Sequence, residues 1–175
     1  MDTKLSFFRM ESLALGFLLL ALLAQGIEGA VVRSPCKLPK SEFHLNEISN
    51  QIVNMSQMAS LEDMDTSTRF IDSSLFQDVA TVDRCYVMKL VLDFALSEGV
   101  KPYGDKFQPY TQHVFNFLTS LKSKLSKCVM KFDNIHVLEK IAAMKNKLKQ
   151  IGKDGGIKIV SELDLLFLYL KKSCS

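Results

Sequence analysis

Apolar residues recur along this chain at steps of three and four, the rhythm of amphipathic helices, and nowhere sustain the step of two that marks a half-buried strand. Leu45, Ile48, Ile52, Met55 and Ala59 form a first stripe. A polar stretch, Glu62 to Thr68, breaks it, and Asp72-Ser73-Ser74 opens a short helical turn. Asp83 is a candidate cap for a run from Arg84 to Ser97 that is apolar nearly all round and therefore central. Gly99, Pro102 and Gly104 interrupt. The next helix, Asp105 to Lys127, points Phe107, Tyr110, Val114, Phe117, Leu118, Leu121 and Leu125 inward. Another, Phe132 to Ile151, carries Ile135, Leu138, Ile141 and Leu148, and Gly152, Gly155 and Gly156 supply a stop. Ile157 to Lys172 makes the last helix, with Val160, Leu163, Leu166, Phe167 and Leu170 inward. Amphipathic helices in that number must bury their stripes against one another, so the class is an all-α bundle.

The start of the chain does not join this pattern. Lys4 and Arg9 precede a twelve-residue apolar or glycine run, Leu13 to Ala24, which is too short for a bilayer span of about 20 residues. Small residues at Ala24, Gly26, Gly29 and Ala30 follow. Residues 1–30 read as a secretory signal peptide, cut near Ala30, and residues 31–175 as one soluble, secreted domain. Hydrophobic residues at 47% and charged residues at 23% exclude a disordered or low-complexity chain. Loss of the leader raises the formal net charge of +3 by one, too mild to argue for nucleic acid.

Secretion changes what the cysteines mean. Cys36, Cys85, Cys128 and Cys174 all lie in the mature part, where an oxidising compartment pairs them, and no CxxC spacing suggests zinc. Spacing leaves all three pairings open. Catalytic material is poor: His44, His113 and His136 sit in separate segments without HxxxH or HExxH spacing. The Gly152-Lys153-Asp154-Gly155-Gly156 stretch follows a helix and lacks a Walker lysine-serine pair, so it reads as a helix stop. Met55 and Met88 lie on apolar stripes as core filler. No enzyme, cofactor or metal is expected. The lysines from Lys140 to Lys153 support one competing class, a secreted basic helical protein that binds membranes or heparin.

Two features stand above this background. Asn54-Met55-Ser56 is the one N-x-[ST] sequon, and helical projection turns Asn54 away from the apolar stripe, so it should carry glycan. On the last helix Lys158, Glu162, Leu165 and Tyr169 share the face opposite the core stripe, with Leu168 beside it. A charged pair among exposed apolar side chains there predicts a docking surface.

Three motifs then become familiar together. Arg84-Cys85-Tyr86-Val87-Met88-Lys89, Lys106-Phe107-Gln108-Pro109-Tyr110-Thr111-Gln112 and Glu162-Leu163-Asp164-Leu165-Leu166-Phe167, with Cys174 close behind, resemble the interleukin-10 family collinearly from Cys36 onward. The resemblance implies a compact bundle of six antiparallel helices, acting as a monomer, with disulfides Cys36–Cys128 and Cys85–Cys174. It implies a class II helical cytokine that engages a high-affinity receptor chain and recruits a second chain to start Jak-STAT signalling. A soluble decoy receptor is a further partner to look for. The positions matching the first-receptor face are Thr66, Ser67 and Arg69, and Lys158, Ser161, Glu162, Leu165 and Leu168. Those matching the second-receptor face are Asn54, Tyr110 and His113. Ser67 and His113 each stand where the family usually has an acid. The family's first-helix sequon is lost at Asn50 and regained one turn on at Asn54, and Asp93 lacks one.

Overall fold

A computed structural model of the chain describes residues 36–130 and 135–175. The signal-peptide and cleavage readings lie outside the described residues. Those described are helical, with no strand among them. We number the six α-helical segments α1 (Asn46–Glu62), α2 (Arg84–Ala95), α3 (Thr111–Lys124), α4 (Ile135–Ile151), α5 (Gly155–Ser161) and α6 (Leu163–Cys174). Short 3-10 turns at Lys40–Phe43, Ser73–Phe76 and Thr81–Asp83 lead into or link them, and a π turn, Leu96–Val100, extends α2. No helix of the described residues is long and apolar enough to cross a membrane.

The centre is built as periodicity predicts. Ile52, Met55 and Ala59 of α1, Met88, Val91 and Leu92 of α2, and Val114, Leu118 and Leu121 of α3 are buried together with Leu163, Leu166 and Leu170 of α6. Each large aliphatic buried in this way contributes roughly 1.5–3 kcal/mol. Helix α1 packs on α5, α6 and α3, while α2 packs on α6. The disulfides are Cys36–Cys128 and Cys85–Cys174, each with Cα atoms 4.8 Å apart, as the family resemblance implies. They tie the start of the described chain to the segment just after α3, and the start of α2 to the end of α6. Asp72 accepts the Ser74 N–H at 2.7 Å, so the short turn there is capped as its sequence suggests. Asp83 precedes α2 but makes no side-chain capping bond to it.

Four expectations need correction. The third helix begins at Thr111, not Asp105, and ends at Lys124; residues 105–110 are turns in which Gln108–Pro109 is cis. Proline lacks an N–H and disfavours a helical residue before it, so the apolar rhythm of Phe107 and Tyr110 overran the helix. In α4 the core positions are Val137 and Met144, while Ile135 and Leu138 are about half exposed and Ile141 and Leu148 are only partly buried. That helix packs chiefly on α2 and α5, and so narrow a footing admits few inward positions. Gly152, at φ +76°, does end α4, but Gly155 and Gly156 belong to α5. A Cβ on Gly156 would lie 2.0 Å from the Tyr103 ring, so glycine there permits close approach and not a stop. Finally, the last helix is two helices, α5 and α6, with Glu162 between them at φ −105°, ψ 12°.

Candidate functional site

That break rearranges the predicted docking face. In one continuous helix Lys158 and Glu162 would point away from the core. Instead α5 is enclosed by α1, α4 and the π turn, and Lys158 and Glu162 are 8% and 4% exposed. The expectation of an exposed charged pair is therefore wrong. Ionic groups so placed need partners, and the partners come from the polar stretch after α1.

Lys158 Nζ donates to Asp63 Oδ2 at 2.8 Å and to the Asp65 carbonyl at 2.7 Å. Ser161 Oγ donates to the same Asp63 oxygen at 3.0 Å. Glu162 Oε2 accepts the backbone N–H of Phe70 at 2.9 Å and of Ile71 at 2.8 Å, and its Oε1 lies 3.9 Å from Lys158 Nζ. Two side chains of one short segment thus clamp both ends of the loop 63–71. Within the loop, Asp65 Oδ1 accepts the Ser67 N–H, the Ser67 hydroxyl and the Thr68 N–H at 2.8 to 3.0 Å. A carboxylate binding amides two and three residues ahead is a local turn that needs no helix or strand.

The electrostatics follow this geometry. The Thr68 and Ser67 hydroxyls and amides hold the Asp65 carboxyl well below the usual carboxylate range. Burial pushes the Glu162 carboxyl up, against the opposing pull of the Ile71 and Phe70 amides and of the Lys158 and Arg69 charges. Thr66, Ser67 and Arg69 face outward from the clamped loop. On α6, Leu168 is 57% exposed and Leu165 half-buried, while Tyr169 stacks on Phe76 with ring centres 5.4 Å apart. The structure therefore brings the loop residues and Lys158, Ser161 and Glu162 together in two layers. Thr66, Ser67 and Arg69 are at the surface, with Lys158, Ser161 and Glu162 beneath; Leu168 is exposed and Leu165 half-buried farther along, on α6.

Sequence reasoning missed Asp63, Asp65 and Ser56. The Asp-x-x-Thr spacing from Asp65 to Thr68 is a legible turn signal. The burial of Asp63 and Ser56 had no local sign, since their partners are more than 90 residues away. Ser67, where an acid is usual, spends its hydroxyl on Asp65 inside the loop.

The second group is arranged differently. Asn54 is exposed on α1, His113 is exposed on α3, and Tyr110 is half-buried against the core just before α3. His113 shares a shallow cleft with His44, Leu45, Glu47 and Gln51 at the start of α1. Among the described residues no hydrogen bond or ion pair joins Asn54, Tyr110 and His113 to one another. Leu45, read as a core position, is 48% exposed at this cleft.

Comparison with known proteins agrees along the whole described fold. A family model described as "Interleukin 22 IL-10-related T-cell-derived-inducible factor" matches residues 36–174. The chain is 41% identical to interleukin-22 of Homo sapiens over 175 residues, covering 99% of this chain and 98% of that protein. It is 38% identical to interleukin-22b of Mus musculus with the same coverage.

Proposed function

We propose a receptor-assembling role for this chain, which belongs to the interleukin-22 family of interleukin-10-related cytokines. Such a protein is a signalling ligand and not an enzyme, so its function resides in surfaces. The first, high-affinity receptor chain docks on Thr66, Ser67, Arg69, Leu165 and Leu168. Lys158, Ser161 and Glu162 serve that face from below, by holding the loop in the shape that the receptor reads. The second chain docks on Asn54, Tyr110 and His113, and the paired receptor tails start Jak-STAT signalling. The protein is secreted as a monomer after loss of residues 1–30, carries one glycan at Asn54, and is open to capture by a soluble decoy receptor at the first face.

The observation that supports this reading is the clamp. Ordering a loop on binding costs conformational entropy, and a loop already fixed by four long-range hydrogen bonds to Lys158 and Glu162 has met that cost in the free protein. An arginine held out from such a loop has the makings of an interface anchor. The test is an Arg69→Ala, Leu168→Ala double variant on immobilised high-affinity receptor chain. Its thermal midpoint should stay within a few degrees of the parent's, while affinity falls at least thirtyfold, about 2 kcal/mol. Unchanged affinity would sink the first-receptor assignment.

A further inference from the structure

Outside both faces, a cleft of about 400 Å³ opens between the 3-10 turn Ser73–Phe76, the start of α2 and the end of α6. Its lining is basic and hydroxylic: Arg84 and Lys172, with Ser73, Thr81, Tyr169 and Ser173. No carboxylate lines it. The Arg84 guanidinium lies over the Phe76 ring at 5.4 Å, and its Nε has no hydrogen-bond partner. No ion pair among the described residues involves Arg84 or Lys172. A guanidinium fixed on an aromatic face, with unused donors and hydroxyls around it, is preorganised for an oxyanion that takes several charge-assisted hydrogen bonds.

The cleft does not end there. Gln77 lines it and also lines the adjoining cleft that holds Arg69, Lys140 and Lys147. Lys140 is fixed in that place by donating to the Ser74 carbonyl at 3.2 Å and the Gln77 carbonyl at 2.5 Å. Five cations thus line two clefts that meet at Gln77 and hold no acid of their own, with Asp78 and Glu139 bordering Gln77 and Lys140 in a third cleft to one side. A lone phosphate or sulfate ion would use one end of that track. A polymer with repeating anionic groups would use all of it, and sulfate esters suit arginine and hydroxyl donors.

We infer that this basic track binds a sulfated glycosaminoglycan, seating one sulfate group between Arg84 and Lys172 and running past Gln77 toward Lys140 and Lys147. Of the lysines from Lys140 to Lys153, on which composition rests heparin binding, the site takes Lys140 and Lys147 and leaves out Lys145, Lys149 and Lys153. It also stands apart from receptor recognition, apart from Arg69 at its far end.

The test is affinity for an immobilised heparin oligosaccharide in low salt, with the folded mature chain. Arg84→Gln, Lys172→Gln should bind roughly tenfold more weakly, and Lys172→Gln alone, an exposed change without risk to folding, several-fold more weakly. Lys145→Gln, Lys149→Gln on the exposed side of α4 removes the same charge and should lose clearly less. Chemically desulfated heparin should compete poorly. Wild-type binding by both cleft variants, an equal loss in the α4 control, or displacement by inorganic sulfate at equal sulfate concentration would overturn the proposal. Binding to the high-affinity receptor chain by Lys172→Gln should not change, so failure here is distinguishable from failure of the receptor reading.

Discussion

The loop 63–71 and the face formed by α1 and the start of α3 present similar chemistry to solvent, yet they are supported in opposite ways. Thr66, Ser67 and Arg69 sit on a loop with no helix or strand of its own, made rigid by Lys158, Ser161 and Glu162 from beneath. Asn54 and His113 sit on helices that would keep their shape whatever those two side chains were. A loop that borrows its rigidity passes any change in its supports on to its surface. Helical residues that lend nothing to the fold can change a surface without changing stability. The two faces should therefore respond differently to substitution.

Glu162→Ala tests the borrowed side most severely. It strands the Phe70 and Ile71 amides in a buried place and takes from Lys158 the farther of its two carboxylate neighbours, so we expect a loss of about 4 kcal/mol in chemical denaturation. First-receptor affinity should fall with it. Glu162→Gln keeps an acceptor and should lose about half as much. The same pair reports on pH. A carboxyl whose folded pKa is raised binds protons more readily folded than unfolded, so its contribution to stability rises as pH falls toward the unfolded value near 4.5. In Glu162→Gln that part of the rise on acidification should vanish. Asp65 has the opposite sign: its depressed pKa supplies stability above the unfolded value near 3.8 that is lost as pH falls lower, and Asp65→Asn should flatten that acid limb. A pH profile unchanged by either substitution would count against the clamp.

Lys158→Met comes next. The methylene stem remains, but Asp63 loses a partner and the Asp65 carbonyl a donor, and about 3 kcal/mol should go. A double-mutant cycle with Asp63→Asn measures the part that belongs to the pair; additivity within about 0.3 kcal/mol would mean that the two residues do not act together.

How far each face was legible from sequence follows from the same contrast. The stripes of α1, α2 and α6 could be read because their partners are other stripes, and burial repeats every three or four residues. The exposure of Asn54 followed from the same rule. Lys158 and Glu162 misled because projection assumes an unbroken helix, and nothing local marks the break before Leu163. Their partners, Asp63 and the amides of Phe70 and Ile71, are more than 90 residues distant, where periodicity carries no information. The disulfide pairing was likewise beyond spacing, and only the family resemblance supplied it. Pro109 was the one visible warning that helical rhythm had been extended too far, to Asp105.

Tyr110→Ala should produce a middling effect on the second face. The side chain is half-buried against the core, so about 1.5 kcal/mol of stability should be lost by thermal unfolding. First-receptor binding should nevertheless survive, while STAT phosphorylation in receptor-bearing epithelial cells falls. His113→Ala, at an exposed position of α3, should give the signalling loss with no loss of fold. If either variant weakens first-receptor binding as much as Glu162→Gln does, the two faces are not separable.

The smallest expected effect lies at the sequon, where a single tripeptide touches both regions. Asn54 and Ser56 are two residues apart and so point to different sides of α1. Asn54 is exposed on the face assigned to the second receptor, whereas Ser56 is 3% exposed and turned toward the clamp. Its hydroxyl donates to the Val160 carbonyl at 3.3 Å and accepts the Asp164 N–H at 2.9 Å, stitching α1 to both α5 and α6. A glycan on Asn54 needs that hydroxyl as part of the acceptor motif, and in the folded protein it is engaged. Attachment must therefore precede folding, and refolded, unmodified protein should be a poor acceptor. Either Asn54→Gln or Ser56→Ala destroys the sequon, yet they should differ in every other respect. Asn54→Gln should move stability by only a few tenths of a kcal/mol and leave first-receptor affinity alone. Ser56→Ala, made without glycan in both proteins, should lose about 1–2 kcal/mol, because the Asp164 amide is left without its acceptor. Equal stabilities for the two unglycosylated variants would show that the Ser56 stitch contributes nothing, and would remove the link by which α1 steadies the junction of α5 and α6.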